Sequence, residues 1–173
     1  MTILQPDDTP ERRLPRLTSS VKTVGGRDVI NVQNYVPYFF AAINNALSQG
    51  ASKRYLDAFG IGIVEWRIMS MLAIEPLISA TRICEVVALD KSSTSRGLKS
   101  LDGKALLDTD DSGGDTRRKI WRLNTAGEAL HDKIITVALE RERRLLAGID
   151  GADLEIALRV MRQMRQNVEV LDI

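Results

Sequence analysis

Hydroxyl and cationic side chains dominate the segment between Asp90 and Asp102, and no acidic residue interrupts them. In a helix, Thr94, Leu98 and Leu101 would share one face, and the polar side chains would share the other. Short hydroxyls let a helix approach base edges, arginine binds guanine with two hydrogen bonds, and lysine and serine hold phosphates. This composition favours a helix that enters the DNA major groove, although a solvated charged face is the simpler alternative. The polar residues are Lys91, Ser92, Ser93, Ser95, Arg96, Lys99 and Ser100.

A two-strand ribbon with a basic tip is predicted directly after this helix. Its strands are expected at residues 106–111 and 119–124, joined by a loop that contains Gly113 and Gly114. An arginine at the tip of a hairpin can enter a narrow minor groove, where negative potential is concentrated. The candidate DNA contacts in this loop are Arg117 and Arg118, and Asp115 is placed to stabilise the loop by pairing with a basic residue.

A short helix at residues 79–88 precedes the polar helix, and Ser79 and Asp90 are the expected N-caps of the two helices. A further helix is predicted at residues 63–74 and ends before Pro76. Two helices joined by a tight turn and followed by a ribbon form a winged helix-turn-helix, which places one helix in the major groove. We therefore expect a DNA-binding domain over residues 61–125.

Long amphipathic helices are predicted on both sides of this domain, at residues 31–60 and 126–173. Gly50 to Ser52 is expected to break the first of them, and Thr125 with Glu128 is read as a capping box that begins the second. The last helix, residues 150–171, has apolar residues at alternating steps of three and four, which is typical of a coiled-coil seam. A second copy of the chain would cover these stripes, although they could also pack on each other within one chain. The predicted dimer contacts are Leu154, Met161, Met164, Val168 and Leu171.

The expected fold class is mainly α with a small β wing, with dimerisation helices at both ends of a winged helix-turn-helix domain. Residues 1–30 have no sustained apolar period and are interpreted as an N-terminal arm. The net charge of +1 excludes a uniformly basic surface, so DNA binding requires local segregation of charge. No apolar run approaches the ~20 residues of a membrane span, and the N-terminus does not resemble a secretion signal. These features indicate a cytoplasmic protein.

Several motifs resemble the MarR (multiple-antibiotic-resistance regulator) family of transcription factors. They are Asp90 to Arg96, Leu101 to Lys104, Asp115 to Arg117, Leu123 to Glu128, and Glu65-Trp66-Arg67. The resemblance covers residues 35–171. It implies a dimeric winged-helix protein that binds a pseudo-palindromic operator in double-stranded DNA, with Ser92, Ser95 and Arg96 in the recognition helix and Arg117 in the wing. It also implies that a small aromatic or phenolic effector lowers the DNA affinity.

Two residues depart from the pattern of the family. Ala88 and Ala105 stand where the family usually has glycine, at the turn between the two helices and after the recognition helix. A residue with a Cβ in the left-handed region costs about 1 kcal/mol. We therefore expect either a different turn geometry or a slightly strained domain.

The effector site is expected where the first long helix, the helix that contains Trp66 and the helix that starts at Thr125 meet. Aromatic walls with a few polar groups are typical of a small-ligand site, and they are equally typical of an ordinary core. A cation there would suit an aromatic carboxylate or its thioester, a hypothesis that depends on the resemblance. The candidates are Tyr35, Tyr38, Phe39, Trp66, Arg67 and His131.

Other functional classes receive little support from the sequence. One Cys and one His do not make a zinc site without several carboxylates, and no phosphate-binding glycine loop or nucleophile–base pair is readable. We therefore expect no cofactor and no enzymatic activity. Two alternatives remain: a winged-helix module that binds a protein partner, and a redox-sensing regulator that uses Cys84, the single cysteine.

Overall fold

The computed structural model describes residues 18–110, 119–168 and 170–171. The chain divides into two compact units, Met1–Arg54 and Tyr55–Ile173, and the boundary falls inside the first helix. In the described residues, no helix combines the length and the hydropathy that a bilayer span requires.

The first unit begins with an antiparallel hairpin of β1 (Val21–Val24) and β2 (Arg27–Ile30). Gly25 and Gly26 connect the strands with φ of 58° and 76°, as a tight two-residue turn requires. Residues 1–30 are interpreted from the sequence as an N-terminal arm, and this interpretation does not include the hairpin. A Gly-Gly pair between two short β-branched runs was the signal that predicts it.

Helix α1 (Val36–Phe59) starts in the first unit and ends in the second. Pro37 is its second residue, where a missing N–H forfeits no intrahelical hydrogen bond. The predicted break at Gly50 is wrong, because the helix continues through this residue without interruption. One interior glycine costs a helix only about 1 kcal/mol, which the remaining turns can offset.

Five helices of the second unit follow in chain order and agree closely with the sequence pattern. Helix α5 is capped by Asn124, whose Oδ1 accepts a hydrogen bond from the Gly127 N–H at 2.9 Å, so Thr125 is the first helical residue and not the expected cap. Helix α6 is shorter than the predicted 150–171. The helices are α2 (Ile63–Ile74), α3 (Ala80–Val87), α4 (Lys91–Gly103), α5 (Thr125–Leu145) and α6 (Gly151–Val168).

A three-stranded antiparallel sheet lies in the second unit, in the order β3 (Ile78–Ser79), β5 (Ile120–Leu123), β4 (Leu107–Asp110). The two ribbon strands were expected, and β3 was not, because two residues are too few to show a period. Asp108 and Arg122 are opposite each other in the ladder and form an ion pair at 3.1 Å. The sheet with its helices confirms the predicted fold class, mainly α with a small β wing.

The core of the second unit forms where α2, α3, α4 and α5 meet. Its completely buried side chains include Ile68 and Leu72 of α2, Ile83 of α3 and Ile134 of α5. Helices α2 and α4 approach closely at Gly97, where an added Cβ would lie 2.5 Å from Ile68 Cδ1. A side chain at position 97 would therefore require either the Ile68 side chain or the spacing of the two helices to shift.

Among the described residues, three other than glycine adopt the left-handed conformation: Leu77 at φ 60°, Ala88 at 52° and Ala105 at 55°. The two alanines are the residues that depart from the family pattern. Ala88 ends α3, and Ala105 follows α4 and accepts a hydrogen bond through its carbonyl oxygen from Asn124 Nδ2 at 2.9 Å. The structure therefore shows the left-handed turns that glycine usually forms, with local backbone strain at the two alanines.

Replacing Ala105 with glycine should stabilise the protein. Relief of the left-handed strain outweighs the added freedom of the unfolded chain, so we expect a gain of about 0.5–1 kcal/mol in the free energy of unfolding. Denaturant unfolding of the wild type and the variant measures this difference.

The matched control is Ala129→Gly, at an exposed position in the second turn of α5, where the backbone is helical. It should lose about 1 kcal/mol. Equal losses at both positions would contradict the strain at Ala105.

Candidate nucleic-acid interface

Helix α4 has a buried side and an exposed side, as its sequence predicts. Thr94, Leu98 and Leu101 are buried together with Gly97, which the sequence analysis did not assign to this face. Ser93 is half-buried, and the other predicted DNA contacts in this helix are exposed: Lys91, Ser92, Ser95, Arg96 and Lys99.

The exposed side is ordered by hydrogen bonds among its own residues. The Asp90 carboxylate caps α4, accepting from the Ser93 backbone N–H at 2.8 Å and from the Ser93 hydroxyl at 2.6 Å. The Arg96 guanidinium donates to Ser92 Oγ at 2.8 Å and to Ser93 Oγ at 3.3 Å. Hydrogen bonds from the Ser93 hydroxyl and then from its backbone N–H lower the pKa of Asp90. Arg96 is therefore held along the helix axis near its N-terminus.

Ser100 belongs to a different contact from the one predicted. Although its surface is exposed, its hydroxyl donates to Glu65 Oε1 at 2.6 Å, so it faces α2 and not a bound duplex. The reason is its position: Ser100 precedes the buried Leu101 on the edge of α4 that turns toward the start of α2. The sequence alone gave no indication of this acceptor.

The Glu65 side chain is the buried acceptor of a small polar cluster. Besides Ser100, it accepts from the Gly62 backbone N–H at 2.6 Å and forms an ion pair with the Lys104 ammonium. Lys104 also donates to the Gly60 carbonyl oxygen at 2.7 Å. Burial by itself would raise the pKa of Glu65, but the hydrogen bonds from Lys104, Ser100 and Gly62 together outweigh it, and the pKa is lowered.

A cleft of about 400 Å³ lies beside the exposed side of α4, between the start of α3 and strand β5. Leu98 and Trp121 are its buried side chains, and Lys119 lies over the Trp121 ring at 4.3 Å from the centroid. The charged residues that line this cleft are Lys99 and Asp102 of α4 and Lys119 at the base of the ribbon. The sequence places Lys119 at the start of the second ribbon strand, and it is not among the predicted DNA contacts.

The ribbon tip itself lies outside the described residues. Strand β4 ends before the tip, at Asp110, and strand β5 begins after it, at Ile120. The predicted contacts Arg117 and Arg118, and the predicted stabilising residue Asp115, all fall within 111–118.

The predicted effector residues fall into both units. In the first unit, the Tyr35 and Tyr38 rings meet edge to face at 5.4 Å, and Phe39 is half exposed. In the second unit, Trp66 stacks on His131 at 5.3 Å, and Arg67 is partly buried.

A cleft of about 600 Å³ in the second unit is lined by His131 among other residues. Its walls come from the end of α2, strand β5 and the first turns of α5, including the buried Leu72 and Leu123. The sequence analysis missed its charged groups, although two of them are four residues apart on α5 and so share a helix face. These charged groups are Arg122, Glu128 and Asp132.

Cys84 is partly buried, and its Sγ lies 3.1 Å from the hydroxyl of the buried Thr94 on α4. The thiol therefore packs between the two helices of the DNA-binding domain. Within the described part of the chain, no group of three or more His, Cys, Asp or Glu residues is arranged to hold a metal ion.

Comparison with known proteins adds independent information. Residues 59–118 match the profile of the MarR family. A crystal structure of a MarR/EmrR family transcriptional regulator from Acinetobacter sp. ADP1 is 28% identical, with a TM-score of 0.75, over 81% of this chain and 99% of that one. No curated protein matches the sequence.

Two more distant structures share the fold. The MepR–DNA complex from S. aureus is 20% identical with a TM-score of 0.69, over 79% of this chain and 98% of that one. The PcaV regulator from Streptomyces coelicolor, in complex with its natural ligand, is 17% identical with a TM-score of 0.70, over 80% of this chain and 96% of that one.

The buried Glu65 predicts a pH dependence of stability. Its folded pKa lies below the ordinary value of 4.5, so the ionised carboxylate stabilises the folded state fully above that pH, and this contribution is lost as the pH falls through the folded pKa. Glu65→Gln should therefore lower the free energy of unfolding by about 1–3 kcal/mol at neutral pH, with a smaller difference in acid. Denaturant unfolding of both proteins between pH ~3 and ~7 measures this difference.

Glu75→Gln is the matched control, because it disrupts an exposed pair, Arg82–Glu75 at 3.1 Å, in the same domain. It should change stability little at either pH. A Glu65→Gln difference that stays constant down to the lowest pH would contradict the lowered pKa.

Proposed function

Because this chain belongs to the MarR family of winged-helix, DNA-binding transcriptional regulators, we propose that it is a homodimeric repressor whose affinity for a pseudo-palindromic operator is lowered by a small aromatic effector. The observation that carries this proposal is the division of α4, with its apolar residues buried and its cationic, hydroxyl-bearing side exposed. The role is regulatory and not catalytic. A protein with this role acts where the chromosome lies, so we place it in the cytoplasm.

The exposed side of α4 is the proposed reading surface. Arg96 is the residue that would bind a guanine, and it lies next to the helix N-terminus, where backbone N–H groups and the helix dipole attract phosphates. Its neighbours would hold the backbone and fix the register of the helix in the groove. The proposed contacts on this helix are Lys91, Ser92, Ser93, Ser95, Arg96 and Lys99.

The wing is the proposed second contact with the duplex. Strands β4 and β5 precede and follow its loop in the chain, and the Asp108–Arg122 pair at 3.1 Å holds their register. Arg117 and Arg118 would reach the minor groove or the flanking phosphates, and Asp115 would hold the loop in place.

A second copy of the chain is the proposed partner of α6. No described residue of this helix is buried, although apolar residues recur along it. Helices in proteins derive most of their stability from packing of an apolar face, so α6 requires a partner surface. The proposed contacts are Leu154, Met161, Met164, Val168 and Leu171.

A small aromatic molecule is the proposed effector. The stacked Trp66 and His131 rings offer an aromatic surface, and the cleft that His131 lines is large enough for such a ligand. Binding would favour a spacing of the two recognition helices that no longer matches major grooves ~34 Å apart. The proposed effector contacts in the second unit are Trp66, Arg67 and His131.

Arg96→Ala tests the reading surface. The variant should lose about 1–3 kcal/mol of discrimination at one base pair of the operator while its fold stays intact, because a bidentate base contact disappears. Gel shifts with the DNA upstream of the protein's own gene, and with single-base variants of it, measure the effect. Lys133→Ala, an exposed cation on α5, serves as the control with unchanged binding.

Arg117→Ala tests the wing. Its operator affinity should fall, and the slope of log affinity against log salt should become shallower by about one, as one phosphate contact is lost. Wild-type affinity in this variant would remove the wing from the mechanism. A wild-type protein with almost no salt dependence would instead support a protein-binding module.

Met161→Asp tests the dimer. A carboxylate inside an apolar seam lacks a partner, so the variant should sediment as a monomer where the wild type sediments as a dimer. Gln166→Asp places the same charge outside the seam of α6 and should leave the dimer intact. Identical sedimentation of both variants would exclude this side of α6 from the interface.

The effector proposal is tested by repeating the gel shift with three classes of small aromatic molecule. Release by a carboxylate, but not by a phenol or an amine of similar size, would support an anionic ligand. Release that persists in a double variant of Arg67 and His131 would show that these residues do not contribute to binding.

A further inference from the structure

Glu65 occupies a position between α2 and the recognition helix that no DNA contact requires. We infer that it is a positioning residue for DNA reading: together with Ser100 and Lys104 it fixes the rotation of α4 on the body of the domain. This inference rests on the proposed function, because it concerns how the reading surface is held.

Three donors converge on the Glu65 carboxylate. Glu65 accepts from the Gly62 backbone N–H and from the Ser100 hydroxyl, both at 2.6 Å, and from the Lys104 ammonium. Each hydrogen bond that a buried carboxylate fails to form destabilises the folded protein. Ser100 and Lys104 both belong to the C-terminal end of α4, so a rotation of the helix would separate them from Glu65.

Packing and hydrogen bonding constrain α4 in different ways. The closest approach of α4 to α2 is at Gly97, which would place a Cβ 2.5 Å from Ile68 Cδ1. This contact fixes the distance between the two helices. The burial of Leu98 and Leu101 decides which side of α4 faces the core, and the directional hydrogen bonds of Glu65 add a constraint on its rotation at the C-terminal end.

The same cluster connects α4 to the end of α1. Lys104 donates to the carbonyl oxygen of Gly60, and the Gly60 N–H donates to the Leu56 carbonyl oxygen in the last turn of α1 at 2.9 Å. The orientation of the recognition helix is therefore tied to the end of a long helix as well as to α2. A change at that end of α1 would be transmitted to the reading surface through Lys104.

Three variants remove one member of the cluster each: Glu65→Gln, Ser100→Ala and Lys104→Met. The measurement is the affinity for the operator and for an unrelated duplex of the same length, on protein whose fold is verified by circular dichroism well below its melting temperature. We expect Glu65→Gln to lose about tenfold in operator affinity, as for one impaired base contact, with unchanged affinity for the unrelated duplex and an unchanged salt slope.

This ratio separates positioning from stability. A variant that is only less stable remains folded at the working temperature and keeps the ratio of the two affinities. Glu75→Gln, which disrupts the exposed pair with Arg82, should also keep the ratio. Lys104→Arg retains the cation and should recover discrimination relative to Lys104→Met.

Wild-type discrimination in both Glu65→Gln and Ser100→Ala would overturn the inference while leaving the proposed function intact. If Glu65→Gln does not fold, Ser100→Ala decides the question, because it removes one hydrogen bond at an exposed position. A wild-type protein that fails to distinguish any operator from the unrelated duplex would overturn the proposed function itself.

Discussion

The packing of α4 onto α2 is the constraint on which the DNA-binding domain depends. Leu98 and Leu101 attach one side of α4 to the core, and the missing side chain at Gly97 allows the two helices to approach closely. The other side is left free for polar residues. Since every residue of a helix lies on one side or the other, the exposed position of Arg96 follows from the burial of these neighbours.

Periodicity and capping residues predicted most of this architecture. The bounds of α2, the N-caps Ser79 and Asp90, and the two sides of α4 could be read from the sequence because each depends on local spacing. The left-handed turns at Ala88 and Ala105 followed only from the family resemblance, as one of two alternatives, since alanine itself gives no positive indication of that conformation. The hairpin before α1 had a readable Gly-Gly turn that was outweighed by the polar composition around it.

The polar cluster at Glu65 could not have been found from the sequence. Its members are separated by 35 and 39 residues along the chain, and neither Ser100 nor Lys104 differs in type from exposed neighbours. Only the three-dimensional packing shows which hydroxyl turns inward. The cleft beside His131 could not be predicted for the same reason, because strand β5 and the end of α2 are distant in the sequence and meet only in the folded domain.

The hydrogen bonds from Arg96 to Ser92 and Ser93 have a thermodynamic consequence for a free protein that awaits its target. A mobile arginine carries about 2 kcal/mol of rotamer entropy, which is lost when the side chain becomes fixed. Here part of that loss accompanies folding, so docking would immobilise a side chain that is already restrained. To bind a base, the guanidinium must also break its two hydrogen bonds to the serines, so the net enthalpy of binding is smaller. Recognition at this position is therefore an exchange of hydrogen-bond partners.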